Sequence, residues 1–194
     1  MIDADAEHEA NEESLAQGEL AADESFAALG LKQEVLDAIE EMGWAAPTPV
    51  QVRCLGPASE GRDLIVQSRT GTGKTGAFGI PIVDRIAEAG RGVQAVILAP
   101  TRELALQSAK EIGKLGKGLG IRTAAIYGGA PMEKQVDEIR RGAEIISGTP
   151  GRVLDHIKRG TLDVKNLRVL VLDEADEMLS MGFAKELNAI MKEL

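Results

Sequence analysis

The stretch Leu64-Ile65-Val66-Gln67-Ser68-Arg69-Thr70-Gly71-Thr72-Gly73-Lys74-Thr75 decides the fold. It opens as an apolar run of the kind that makes a buried strand, and it closes on the start of a helix. Gly71 and Gly73 let backbone approach a bound group without a Cβ clash, and the helix that follows contributes its positive end. Such a turn aims N–H groups and a Lys at phosphate oxygens. By this chemistry Lys74 reaches the β- and γ-phosphates of a nucleotide, and the Thr75 hydroxyl ligates Mg²⁺. Ser68 occupies the first position of the G-x-x-x-x-G-K-[ST] pattern, where Gly or Ala is usual. Ser is small enough for the loop to close, so the departure is mild.

A second segment completes this chemistry. Val169-Leu170-Val171-Leu172 reads as another buried strand and runs into Asp173-Glu174-Ala175-Asp176. A carboxylate pair at the end of a neighbouring strand can hold a metal and orient water. Adjacent residues point opposite ways from a regular strand, so Asp173 is assigned to Mg²⁺ through water and Glu174 to water activation. Asp176 is a supporting partner. With the phosphate loop, these residues describe an ATP hydrolysis site in which Lys74, Asp173 and Glu174 carry the reaction.

Strands and helices alternate around the two segments. The expected strands are Leu64–Gln67, Val93–Ala99, Ile121–Tyr127, Ala143–Ser147 and Val169–Leu172. Helices are expected over 74–89, after Pro100, up to Arg140, up to Lys158 and from Phe183 onward. Upstream, Leu29, Val35, Leu36, Ile39 and Met42 recur at helical spacing with Gly43 as a stop. Pro47 and Pro49 then turn the chain into a short helix near Gln51–Leu55. Strictly alternating elements imply an α/β fold, a parallel sheet with helices on both faces. Right-handed crossovers put the strand-to-helix loops, where ligands bind, on its carboxyl edge.

Composition adds limits. At 194 residues the chain suits one domain, and its 44% hydrophobic and 27% charged content is ordinary for a globular protein. The net charge of −9 is concentrated in the leader, where residues 1–25 carry nine acids and neither Lys nor Arg. Residues 26–194 are formally neutral, with 22 acids and 22 bases. Lacking apolar periodicity, residues 1–24 read as a disordered acidic leader. No signal peptide or membrane-length apolar run is found in the sequence. Cys54 is the one cysteine, which excludes an intrachain disulfide and reads as a small buried hydrophobe. The expected compartment is the cytoplasm.

The Asp-Glu-Ala-Asp tetrad and the phosphate loop resemble those of the DEAD-box ATP-dependent RNA helicases. So do several further segments. Gly43-Trp44-Ala45-Ala46-Pro47-Thr48-Pro49-Val50-Gln51 is similar to the family's Q motif, with Phe26 as its upstream aromatic. The resemblance implies that Gln51 recognises adenine, and a Gln amide can donate and accept in one plane as that edge requires. Trp44 has two readings, stacking near the base or a buried core side chain. Pro100-Thr101-Arg102-Glu103-Leu104 resembles motif Ia, Gly128-Gly129 the GG segment, and Thr149-Pro150-Gly151-Arg152 motif Ib. These imply RNA held by its backbone, without base reading, at helix starts and glycine backbones.

The resemblance covers roughly residues 24–183 and implies a RecA-like P-loop NTPase domain over 25–194. By that resemblance the chain, which stops at Leu194, is expected to be truncated before the family's Ser-Ala-Thr motif and to lack its second RecA-like domain, as a fragment or a partial gene product. The leader then has two readings, a solubilising tail or an electrostatic competitor for non-specific RNA. Two rival functions are a DNA-directed helicase and an ATP-gated RNA clamp that turns over negligibly. Gln51 and the literal tetrad favour RNA, and retention of Lys74, Thr75, Asp173 and Glu174 favours hydrolysis.

Overall fold

The computed structural model describes residues 25–86 and 92–194. The acidic leader lies outside the described residues. A short 3₁₀ turn at Phe26–Leu29 precedes α1 (Gln33–Glu41), α2 (Pro49–Ser59) and α3 (Lys74–Arg85). Then follow β1 (Ala95–Leu98), α4 (Arg102–Leu115), β2 (Thr123–Ile126), α5 (Met132–Arg140), β3 (Ile145–Gly148), α6 (Pro150–Lys158) and β4 (Val169–Leu172). Two helices, α7 (Ala175–Ser180) and α8 (Ala184–Met191), close the chain.

The four strands form one parallel sheet in the order β2-β3-β1-β4. Strand alternation divides its side chains between two cores. Ala95, Ile97 and Ile145 point into one, which Val35 and Ile39 of α1, Leu55 of α2, Ile80 and Val83 of α3, and Ile112 and Leu115 of α4 cover. Val96, Leu98, Ile126 and Ile146 point into the other, beneath Val153 of α6, Met178 of α7 and Ile190 of α8. The two inner strands, β1 and β3, are therefore buried on both faces, while β2 and β4 at the borders are only partly covered. A fully buried Ile such as Ile97 contributes roughly 1.5–3 kcal/mol of transfer free energy.

Several expectations are corrected. The sheet has four strands, not five. Residues 62–69 join no ladder, and Leu64, Ile65 and Val66 are 41%, 104% and 43% exposed. A strand exists by virtue of a hydrogen-bonded neighbour, and apolar composition alone does not supply one. On the sheet itself β4 pairs only with β1, and Leu172 at its end is 41% exposed. The helix expected near Gln51–Leu55 is longer, because Pro49 serves as a first-turn residue with φ already suited to a helix. Pro150 does the same for α6, so the expected turn at 149–151 is already helical from its second residue. Helix α3 stops at Arg85, with Ile86 extended, and the expected stretch to Ala89 runs beyond the described residues. The tetrad is half helix, with Ala175 and Asp176 in the first turn of α7. Cys54 is buried on α2, and burial pushes its thiol pKa up.

At the end of β3 the packing leaves no room for a side chain. A Cβ on Gly148 would overlap the Ile126 carbonyl oxygen and lie 2.7 Å from Val153 Cγ2. Replacing Gly148 by Ala should thus cost about 1–3 kcal/mol, the usual price of overpacking. Urea unfolding of the variant checks this, and an unchanged midpoint would contradict the packing described.

Candidate nucleotide site and adjoining backbone-binding edge

The phosphate loop is held shut by its own side chains. Gly71 and Gly73 adopt φ of 77° and 92°, and Gly73 is the residue from which α3 springs. Ser68 Oγ donates to Thr72 Oγ1 at 2.5 Å, and Thr72 in turn donates to the Arg69 carbonyl at 2.9 Å. Lys74 Nζ donates to the carbonyls of Ser68 at 2.9 Å and Arg69 at 3.2 Å. The ammonium thus sits across the loop, where incoming phosphate oxygens would replace the two carbonyls as its acceptors. Arg69 and Thr70 form the exposed rim of the loop, and Thr75 lies half-buried beside Lys74 on the first turn of α3.

The Gln51 segment lies directly on this loop. Gln51 is 3% exposed, accepts from the Thr48 N–H at 2.9 Å and donates to the Gly73 carbonyl at 3.1 Å. A Cβ on Gly76 would overlap Gln51 Nε2 and lie 3.0 Å from Trp44 Cζ3, so glycine is what lets these side chains reach α3. Gln51 thus couples the loop's geometry to its own, keeping one amide hydrogen and one lone pair for a ligand. Trp44 is half-buried, packed against the α1–α3 core and over Gly76. Phe26 is 6% exposed and belongs to the core, with part of its surround forming a cleft lined by Leu36, Gly43 and Trp44.

Across the site, the Asp173 N–H donates to the Leu98 carbonyl at 2.9 Å, which extends the β1–β4 ladder to the start of the tetrad. Glu174 then takes φ 54° and ψ 52°, the one non-glycine residue with positive φ among the described residues. This left-handed turn breaks strand alternation and re-aims the second carboxylate. The Asp173 pKa is raised, first by burial and then by the Glu174 charge, while the Lys74 ammonium pulls it the other way. A part-buried Asp173 next to a second carboxylate and near one ammonium suits a divalent cation. Among the described residues no cluster of three or more His, Cys, Asp or Glu could hold a metal by itself.

The other three strand ends lie along the same edge. Thr101 caps α4 by accepting from the Leu104 N–H at 3.3 Å, with Pro100 buried behind it. The Arg102 guanidinium stacks 4.7 Å from the centre of the Tyr127 ring, next to the exposed Gly128 and Gly129. The Thr149 N–H donates to the Ile126 carbonyl at 2.9 Å, and Pro150 and Gly151 begin α6. Arg152 is turned toward the protein: its Nη1 donates to the Ala130 carbonyl at 3.0 Å and to Gln135 Oε1 at 3.2 Å. Sequence reasoning missed Gln135 and His156, both buried behind this edge. The signal was Gln135 inside the inward stripe Met132, Gln135, Val136 and Ile139 of α5, where an apolar residue would be ordinary.

A parallel sheet with an Asp-Glu pair at the end of β4, and a glycine-bent loop whose Lys74 lies near Asp173, define a P-loop nucleotide-binding domain of RecA-like fold. The family model for DEAD/DEAH box helicases matches residues 48–194, and the chain belongs to that family. It is 47% identical over 167 residues to the DEAD-box ATP-dependent RNA helicase CshA of Geobacillus kaustophilus, covering 86% of this chain and 36% of the relative. Its structure matches that of a DEAD box protein from the hyperthermophile Methanococcus jannaschii with TM-score 0.82 and 43% identity, over 87% of this chain and 46% of that one. A hypothetical ATP-dependent RNA helicase from Sulfolobus tokodaii matches with TM-score 0.76 and 34% identity, over 84% and 47% of the two chains. The chain therefore spans between about a third and a half of the relatives it matches.

Two predictions come from the carboxylates. Glu174→Gly should raise the unfolding free energy by about 1 kcal/mol, the left-handed strain relieved less the entropy that glycine adds to the unfolded chain. A lower urea midpoint would show that the Glu174 side chain contributes more than its backbone costs. Asp173→Asn should stabilise the ligand-free protein at neutral pH. The folded pKa of Asp173 lies above its unfolded value, so ionisation works against the fold. The penalty is complete above the folded pKa and absent below the unfolded one. The melting-temperature gap between Asp173→Asn and the parent should thus narrow as pH falls toward the ordinary carboxylate range.

Proposed function

We propose that this chain is the ATP-binding and hydrolysing domain of a DEAD-box RNA helicase, which binds Mg²⁺·ATP and the backbone of single-stranded RNA. In the intact protein a second RecA-like domain closes on the same cleft, and hydrolysis is coupled to local separation of an RNA duplex. The observation that supports this reading is the Lys74 ammonium near enough to pull the Asp173 pKa down, beside strand ends that lead into Thr101, Gly128, Gly129, Thr149 and Gly151.

The residues divide the work as follows. Backbone N–H groups of residues 70–75 and Lys74 receive the phosphates, and Thr75 and, through water, Asp173 would hold Mg²⁺, which when bound would supply charge neutralisation at the γ-phosphate. Glu174, set off from Asp173 by its left-handed backbone, orients and deprotonates the attacking water. Gln51 takes the adenine edge with its remaining hydrogen and lone pair, and Trp44 and Phe26 wall that side. RNA phosphates lie along Thr101, Gly128–Gly129 and Thr149–Gly151, with Pro100, Pro150 and Arg152 fixing the backbone there. A reducing compartment, the cytoplasm, suits the buried thiol of Cys54.

The test is RNA-stimulated ATP hydrolysis by a protein extended through a second RecA-like domain. Glu174→Gln should retain ATP and RNA binding and lose about 10²–10⁴ in turnover, the usual worth of general base catalysis. Gln51→Ala should lose roughly 1–3 kcal/mol of ATP affinity, because a buried donor and acceptor lose their partner. Turnover of Glu174→Gln at the parental rate would remove the catalytic assignment. Stimulation by DNA oligonucleotides equal to that by RNA would favour a DNA-directed enzyme, and negligible parental turnover an ATP-gated clamp.

A further inference from the structure

We propose that Gln135 is a positioning residue that locks the three loops of the RNA-binding edge into one rigid surface, with His156 holding its amide in place. The inference rests on the reading of that edge as the RNA site. Gln135 is 4% exposed and His156 is fully buried, and neither has a part in the nucleotide chemistry.

The donor and acceptor roles in the network follow from Arg152. Arg152 can only donate, so the atom of Gln135 that faces it at 3.2 Å must be the carbonyl oxygen. The amide nitrogen then donates to the Tyr127 carbonyl at 2.9 Å, immediately before Gly128 and Gly129. The oxygen's second lone pair faces His156 Nε2 at 3.1 Å, so that ring nitrogen carries the hydrogen. His156 Nδ1 is left to accept from the Thr161 hydroxyl at 2.8 Å, whose hydrogen lies between it and the His156 carbonyl at 3.1 Å. Burial foremost, and then the nearby Arg152 charge, hold His156 below its ordinary pKa, so one neutral tautomer persists.

The same amide therefore grips both ends of one loop and the start of another helix. It holds Tyr127 directly and Ala130 through Arg152, the residues that bracket Gly128 and Gly129. Arg152 lies in the first turn of α6, next to Thr149–Gly151. Tyr127 is also the platform on which Arg102 of α4 stacks, which ties in the third loop. A glycine pair binds phosphate through its backbone only when that backbone is held still. Conformational entropy lost on binding would otherwise be charged against affinity.

Fluorescence anisotropy of a labelled single-stranded RNA oligonucleotide on this chain tests the proposal, with ADP affinity as the control and ¹H–¹⁵N spectra reporting Gly128, Gly129 and the His156 Nε2–H. Gln135→Met keeps the length and burial of the side chain but none of its hydrogen bonds. It should weaken RNA binding about tenfold, leave ADP affinity within about twofold, and shift or broaden the Gly128 and Gly129 amides. Thr161→Val, on a half-buried residue at the far end of the network, should produce the same changes at about threefold. RNA affinity and glycine resonances unchanged in a folded Gln135→Met would overturn the inference. If that variant does not fold, the same result for Thr161→Val would overturn it. Failure of the parent to bind RNA would remove the edge reading and this inference together, whereas binding by the parent with unaffected variants would remove only the inference.

Discussion

The parallel ladder ends level, and the site depends on that register. Leu98 stands opposite both Gly148 and Leu172, and Gly148 stands opposite Ile126, so the four strands finish on one line. Backbone bonds carry the ladder a residue further into three loops, from Ala99 to Gly148, Thr149 to Ile126 and Asp173 to Leu98. These loops cannot slide past one another without breaking buried hydrogen bonds, each costly to leave unmade. A one-residue slip would also exchange the two cores, because neighbouring strand residues face opposite sides of the sheet.

On this fixed line the functional groups are held under tension. Glu174 adopts a backbone conformation that costs an L-residue about 1–2 kcal/mol. Asp173 is desolvated beside it, and the Lys74 ammonium is held by the carbonyls of Ser68 and Arg69. Such costs persist only where the surrounding structure determines them. Here the surround is the ladder behind Asp173 and Met178, whose N–H bonds the Glu174 carbonyl from the fully buried side of α7.

The phosphate loop and the tetrad were legible in the sequence because their chemistry is local: glycine spacing, a Lys-Thr helix start, and acids at the end of an apolar run. The two-faced sheet was legible for a similar reason, since Val96–Leu98 and Ile145–Ile146 lack polar interruptions. The ladder membership of 64–67 was not, because the same apolar run fits a paired strand and an unpaired segment alike. The inward turn of Arg152 onto Ala130 and Gln135 was not legible either, because a charged residue beside glycines says nothing of which way it points. Gln135 and His156 escaped notice since their meaning arises only where α5 and α6 meet.

The exposed row of Leu64, Ile65 and Val66 and the free outer edge of β4 have a consequence for the protein in solution. An edge strand with unpaired N–H and C=O groups and few charges is a template for any other strand, including one from a neighbouring molecule. Val169–Leu172 has no gatekeeping charge within it. Among the described residues, the outer side of β4 therefore offers a neighbouring strand its backbone with no side-chain charge to turn it away.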